Sequence, residues 1–260
     1  MGGSYQNPEG IKFRNGDLFV VDMYYNNLQE WTTLGVQAAS PLSIYGSGPT
    51  TFSRPYGVSI DPVTGNIYVA DYFNHQVAVF DPNENYLTVF GAAQMGTGFV
   101  QDAEVNSTGT TVYLMDETNS QVIQYTIGGT PSSPTFSYPS TIITGLHNLS
   151  GMALDGSNNI YEMDYSGHYV KKFPPTGGSS ILTFDCSSVV GFSPVDATID
   201  PSGYLYVVGM SSVVLVFNPS GALVGQFGAG ILTTCEGITT DGAGNFYATQ
   251  ANGREIIGFH

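Results

Sequence analysis

RPYGVSIDPVTGNIYVADYFNHQVAVFDPNENYLTVFG, Arg54 to Gly91, contains four short runs rich in β-branched and aromatic residues, separated by turn residues. Between the first two runs stands Asp61-Pro-Val-Thr-Gly65. Asp accepts nearby backbone N–H groups, Pro presets φ and Gly takes positive φ, so the flanking runs pair as an antiparallel hairpin. The same device recurs as Asp155-Gly-Ser-Asn-Asn, Asp200-Pro-Ser-Gly and Asp241-Gly-Ala-Gly. Weaker copies of the whole stretch follow one another along the chain. The small residue opening the first run falls at Gly10, Gly57, Ala103, Gly151, Ala197 and Gly237, spaced 47, 46, 48, 46 and 40. The aromatic closing the third run falls at Trp31, Phe80, Tyr125, Phe173, Phe217 and Phe259, spaced 49, 45, 48, 44 and 42. Two independent registers agree on six units.

Units of this length, built of four short antiparallel strands with no helical period, are β-propeller blades. The expected fold is all-β, a six-bladed propeller in one domain over residues 1–260, with blades at about 7–53, 54–98, 99–147, 148–192, 193–233 and 234–260. The last unit ends at Phe259-His260, without the further run that the others carry, such as Tyr86–Phe90 or Leu223–Phe227. Its outer strand is expected to be missing within this chain, and Met1 to Gln6 are too short to supply one. The apolar edge Glu255, Ile256, Ile257, Gly258 and Phe259 is then an interface for strand addition by another chain or by a removed segment of this one, or by nothing if the sequence is truncated.

Composition excludes several function classes. Of 260 residues only 6 are basic and 21 acidic, and charged residues make up 10%, where soluble domains carry about 25%. A net charge of −15 and a pI near 4.2, with no basic run, argue against nucleic acid or an anionic membrane surface as partner. No apolar stretch is long enough to insert in a membrane, and MGGSYQNPEG lacks the regions of a leader peptide. Few lysines and abundant Gly, Ser, Thr and Tyr favour an extracellular or cell-surface setting.

Gly57-Val-Ser-Ile-Asp61, Asn66-Ile-Tyr-Val-Ala-Asp71 and Asn74-His-Gln-Val-Ala-Val-Phe80 together resemble an NHL repeat, with partial copies in the other units. That resemblance implies a propeller scaffold and leaves activity open, because such propellers host binding proteins, scaffolds and enzymes. The recurring aromatics Phe19, Tyr68, Tyr113, Tyr161, Tyr206 and Tyr247 read as packing between blades. Asp22, Asp71, Asp116 and Asp164, which end second strands, read as acceptors for turn N–H groups.

The residue before each opening small residue is more informative, because the innermost strand lines the axial channel. These residues are Glu9, Tyr56, Asp102, Ser150, Asp196 and Glu236. Four carboxylates converging on one mouth need a cation or protons to compensate them, and a calcium ion suits such oxygen donors. Glu9, Asp102, Asp196 and Glu236 are therefore the candidate metal ring. Glu9-Gly10 and Glu236-Gly237 also resemble the Glu-Gly pattern of six-bladed lactonases and regucalcin-like proteins, which implies a metal-dependent hydrolase. The inner Asn-Gly ligands of that family are replaced here by Tyr56-Gly57 and Asp102-Ala103.

Other catalytic constellations are not visible. A peptidyl-amide lyase of related fold would want inward histidines on a metal, and no first strand carries one; His75 and His168 share a hairpin position instead. No Gly-Xaa-Ser-Xaa-Gly elbow or phosphate-binding loop occurs, so no catalytic residue or organic cofactor is assigned. Asn106-Ser-Thr and Asn148-Leu-Ser are candidate glycosylation sequons, and Cys186 with Cys235 is a candidate disulfide. The combined expectation is a non-enzymatic extracellular binding or structural propeller, self-associating through its last blade into an assembly or filament. The alternative is a lactonase-like hydrolase using the axial carboxylates.

Overall fold

The computed structural model describes residues 5–43 and 51–260. Six antiparallel sheets follow one another in chain order, each running from an inner to an outer strand. The first holds β1 (Pro8–Arg14), β2 (Asp17–Asp22), β3 (Asn27–Thr32) and β4 (Leu42–Ser43). The second holds β5 (Pro55–Ile60), β6 (Ile67–Asp71), β7 (Gln76–Phe80) and β8 (Tyr86–Phe90), followed by the one-turn helix α1 (Ala92–Met95). The third comprises β9 (Val100–Val105), β10 (Thr111–Asp116), β11 (Gln121–Thr130) and β12 (Ser133–Thr144). β13 (Leu149–Leu154), β14 (Ile160–Asp164), β15 (Tyr169–Phe173) and β16 (Leu182–Asp185) make the fourth, and β17 (Pro194–Ile199), β18 (Leu205–Gly209), β19 (Val214–Phe217) and β20 (Leu223–Phe227) the fifth. The sixth has three strands among the described residues: β21 (Cys235–Thr240), β22 (Phe246–Gln250) and β23 (Glu255–Phe259). This is the six-bladed propeller that the repeat predicts.

Six buried clusters fill the six junctions between neighbouring blades. Strand alternation supplies both faces of each blade: Phe19 and Val21 of β2 join a cluster with Val69 and Phe80, while Leu18 and Val20 face the other way with Tyr247 and Ile256. The repeated second- and third-strand aromatics belong to these clusters, Tyr68, Phe80 and Phe217 being almost completely covered. The ring closes between the last and first blades by packing of Ile11, Leu18, Trp31, Tyr247 and Ile256, assisted by Tyr5. Thr249 Oγ1 donates to the Glu9 carbonyl at 2.7 Å and the Phe13 N–H donates to Thr239 Oγ1 at 3.2 Å across the same junction. Residues 1–4, which belong to the segment considered too short for a closing strand, lie outside the described residues.

The turn aspartates act as their chemistry dictates. Asp155, Asp200 and Asp241 each accept the N–H groups two and four residues on. Asp22 accepts from Gln6, Asn7, Tyr24 and Tyr25, and Asp71 from Ser53, so these second-strand acids tie the entering chain to the turn.

Candidate functional site

Every inner strand carries a register shift at or beside its opening residues: Pro8/Ile11, Pro55/Val58, Met115/Asp116 opposite β9, Leu149/Met152, Pro194/Asp196 and Cys235/Gly237. A bulge re-aims the side chains at its centre. Here it turns Glu9, Tyr56, Asp102, Ser150, Asp196 and Glu236 onto one axial cavity of about 320 Å³. The glycine following four of them is required by crowding at the axis. A Cβ on Gly151 would lie 2.3 Å from the Val195 carbonyl, and one on Gly57 would lie 2.2 Å from Asp102 Oδ1.

The predicted ring of four acids is divided into two tiers. In the lower tier, Asp102 accepts the Ala103 N–H at 2.8 Å and, across to the next blade, the Met152 N–H at 3.0 Å. Asp196 likewise accepts the Ile238 N–H of the last blade at 3.0 Å. Lys12 of β1 reaches among them and pairs with Glu104 at 2.5 Å. Burial alone would push the Lys12 amine down, but Glu104, Asp196 and Asp102 together hold it above the usual lysine range, so it is an ammonium. Burial pushes the Asp196 carboxyl up to about 6 against the pull of Lys12, and pushes Asp102 well above the carboxylate range, with Glu104 adding to it. In this tier the Lys12 ammonium already counters Asp102 and Asp196, and their oxygens accept the N–H groups that hold neighbouring blades together. The Lys12–Glu104 pair also separates the upper cavity from a lower one of about 250 Å³.

The upper tier is different. Glu9 is 7% exposed and accepts the Asn7 amide at 2.5 Å. Burial, then Glu236, then Asp22 push its carboxyl well above the usual range, and burial raises Glu236 as well. No basic side chain among the described residues is ion-paired with either. Around them the cavity is walled by Tyr56, Met23, Tyr165 and Met210. The last three each follow the residue that ends a second strand, Asp22, Asp164 and Gly209. Tyr72, at the same position after Asp71, holds the Tyr56 ring at 4.7 Å and stacks on Phe99 at 4.4 Å. Its hydroxyl donates to Glu117 Oε2 at 2.5 Å. Sequence reading missed this outer ring and Lys12. The signals were present as an apolar residue recurring after the second-strand aspartate and as one of six basic residues on an inner strand.

The remaining predicted residues lie elsewhere. Ile256 is buried in the closing junction, while Ile257 and Phe259 pack toward the fifth blade and Glu255 and Gly258 are half-buried. Cys186 and Cys235 are buried free thiols in different clusters, one on each face of the fifth sheet, so the sheet itself separates them. Asn106 is 8% exposed and accepts the Thr110 and Thr111 N–H groups, whereas Asn148 is exposed with its amide donating to Ser166 Oγ. His75 and His168 adopt left-handed φ values of 56° and 61° and donate through Nδ1 to the Gly98 and Phe192 carbonyls of the segments that lead into the next blade.

Residues 52–80 match the NHL repeat family. Peptidyl-glycine alpha-amidating monooxygenases B and A of Xenopus laevis are 32% and 33% identical over 92 residues, 32% of this chain; the match spans only 10% of each relative's length. Among solved structures, a streptogramin B lyase superposes over 100% of this chain and 84% of its own with a TM-score of 0.68 at 11% identity. Kuenenia stuttgartiensis hydrazine synthase gives 0.67 at 12% over 100% and 97%. A luciferin-regenerating enzyme gives 0.66 at 12% over 96% and 85%. At such identities the likeness is one of fold. The chain is a six-bladed β-propeller with an NHL repeat in its second blade.

Proposed function

We propose that the chain is a non-enzymatic binding module, a rigid ring that presents the Glu9–Glu236 mouth to a ligand or to a partner's side chain. The observation that carries this reading is the two-tier axis. Asp102 and Asp196 hold N–H groups of neighbouring blades and Glu104 pairs Lys12, while Glu9 and Glu236, on the same cavity, have no basic partner among the described residues and stand beside apolar and aromatic walls. Such a cavity with a few convergent polar groups is the usual form of a small-molecule site. An extracellular or cell-surface setting is part of the proposal, on the low charge and the composition.

A screen of polar small molecules by thermal shift tests it. Hits should lose their stabilising effect on Tyr165→Asp, which puts a charge in the mouth, and keep it on Ser187→Asp, an exposed turn residue outside the cavity. Lactone hydrolysis that disappears with Glu9→Gln would replace this reading with the hydrolase. For that chemistry calcium would draw first on Glu9 and Glu236, since Asp102 and Asp196 already accept backbone N–H groups.

Self-association is a second reading, favoured by the three strands that the sixth sheet has among the described residues against four in each other blade. A second copy adding a strand alongside Glu255–Phe259 would propagate head to tail. Light scattering of the untagged chain over a hundredfold concentration range decides it; a constant monomer mass contradicts it.

A further inference from the structure

The axial cavity is lined by five carboxylates, Glu9, Asp102, Glu104, Asp196 and Glu236, against the single base Lys12, and Glu9 and Glu236 stand in it beside tyrosine and methionine walls, a combination that is selective about its ligand. Glu9 is the informative residue: it is more than nine-tenths buried, it has one amide donor, and its charge has no basic partner among the described residues. Lys12 is committed to Glu104, and Arg54, two residues before Tyr56, lies over the Tyr24 and Phe73 rings. The charged and titratable groups around the pair are Asp22 near Glu9, Tyr56 with Arg54 and Glu117 acting on it, and Asp102, Asp196, Glu104 and Lys12 on the same cavity, a set in which acids outnumber bases. The mouth is therefore short of positive charge. Water cannot supply that charge, and of the five carboxylates lining the cavity Asp102 and Asp196 already accept backbone N–H groups and Glu104 pairs Lys12, which leaves a bare divalent ion Glu9 and Glu236 among aromatic and thioether walls, a poor replacement for its six to eight oxygens. Among the described residues no group of three or more His, Cys, Asp or Glu side chains is arranged to hold a metal.

Resting on the reading of this mouth as a binding site, we propose that its ligand class is organic ammonium: a quaternary or protonated amine whose alkyl groups meet Tyr56, Tyr165, Met23 and Met210 while its charge faces Glu9 and Glu236. Aromatic rings attract alkylammonium groups through their negative faces, and methionine adapts to their shape. The Tyr56 ring is braced for this by the Tyr72–Phe99 stack. The volume of about 320 Å³ admits a ligand of several heavy atoms, such as a small free amine or the end of a methylated or unmodified lysine side chain.

Calorimetric titration of the full chain with choline chloride and with its neutral isostere 3,3-dimethylbutan-1-ol isolates the charge from the shape. Choline carries no titratable proton, so proton release on binding at pH 6, measured in two buffers of different ionisation enthalpy, reports the protein's own carboxyls. The expected result is choline binding at least tenfold tighter than the alcohol, with proton release. Both the preference and the release should be lost in the Glu9→Gln, Glu236→Gln double variant at an unchanged or raised unfolding midpoint. Tyr165→Leu, which leaves both carboxyls in place, should weaken choline severalfold while keeping proton release. Equal binding of choline and alcohol overturns the ammonium assignment and leaves the binding site standing. Calcium chloride binding more tightly than choline, and displacing it, overturns the assignment in favour of a metal. Binding of none of the three overturns both the assignment and the reading of the mouth as a small-molecule site.

Discussion

Glu162 occupies the position two before the end of the second strand, where the other blades have Val20, Val69, Leu114, Val207 and Ala248. It is fully buried, neither oxygen has a hydrogen-bond partner among the described residues, and burial pushes its carboxyl up to about 8, with Lys171 opposing and Asp164 adding to the shift. In the unfolded chain the group ionises near 4.5. The folded state thus binds the extra proton between these values, so stability falls as pH rises from about 4.5 to 8 and this contribution levels off above it. Glu162→Leu should raise the denaturation midpoint at pH 8 much more than at pH 4.5, by roughly 3–5 kcal/mol at the upper end. Equal gains at both values would contradict the assignment. Lys12→Met should destabilise by about 3–5 kcal/mol because it leaves buried carboxylates uncompensated, and adding Glu104→Gln should restore part of the loss. The axial acids were legible in the sequence because each precedes a small residue at a fixed period. Lys12 was not, because the register shift that places it among acids of blades three and five is a property of paired strands.

At the scale of elements, strands and turns could be read from the Asp-containing hairpins and the aromatic period. The bulges could not, although they aim the site. Close approach at the axis makes them testable. Gly151→Ala sets a Cβ against the Val195 carbonyl and should cost about 1–3 kcal/mol, whereas Gly156→Ala, with open space around it, should stay within about 0.5 kcal/mol of the parent in urea melts. The long β11–β12 hairpin was also hidden within a unit of ordinary length. It leans back over the second blade, where Phe136 stacks on Phe90 at 3.8 Å and the Asn66 amide donates to the Pro131 carbonyl. Nothing local in Ser133–Thr144 announces that contact, since its partners lie about 45 to 65 residues earlier.

For the molecule as a whole, the first five junctions join blades that are consecutive in the chain, while the sixth joins first to last by packing and by hydrogen bonds such as Thr249 to Glu9 and Phe13 to Thr239. Closure should be the joint that opens first. Trp31, the single tryptophan, sits in that junction, so its fluorescence should change at lower denaturant than the far-ultraviolet circular dichroism. Coincident transitions would make the ring one cooperative unit. The six-fold architecture was fully legible, yet what the axis does was only half so: the sequence placed four acids at the mouth and could not separate those that hold blades from those that face the cavity. The two methionines of the outer ring give the most direct test of that separation. With methionine methyl groups labelled with carbon-13, choline should shift the Met23 and Met210 resonances and leave those of Met95 and Met115, buried away from the cavity, unchanged. Unmoved Met23 and Met210 signals at saturating choline, or shifts confined to other methionines, would contradict the account.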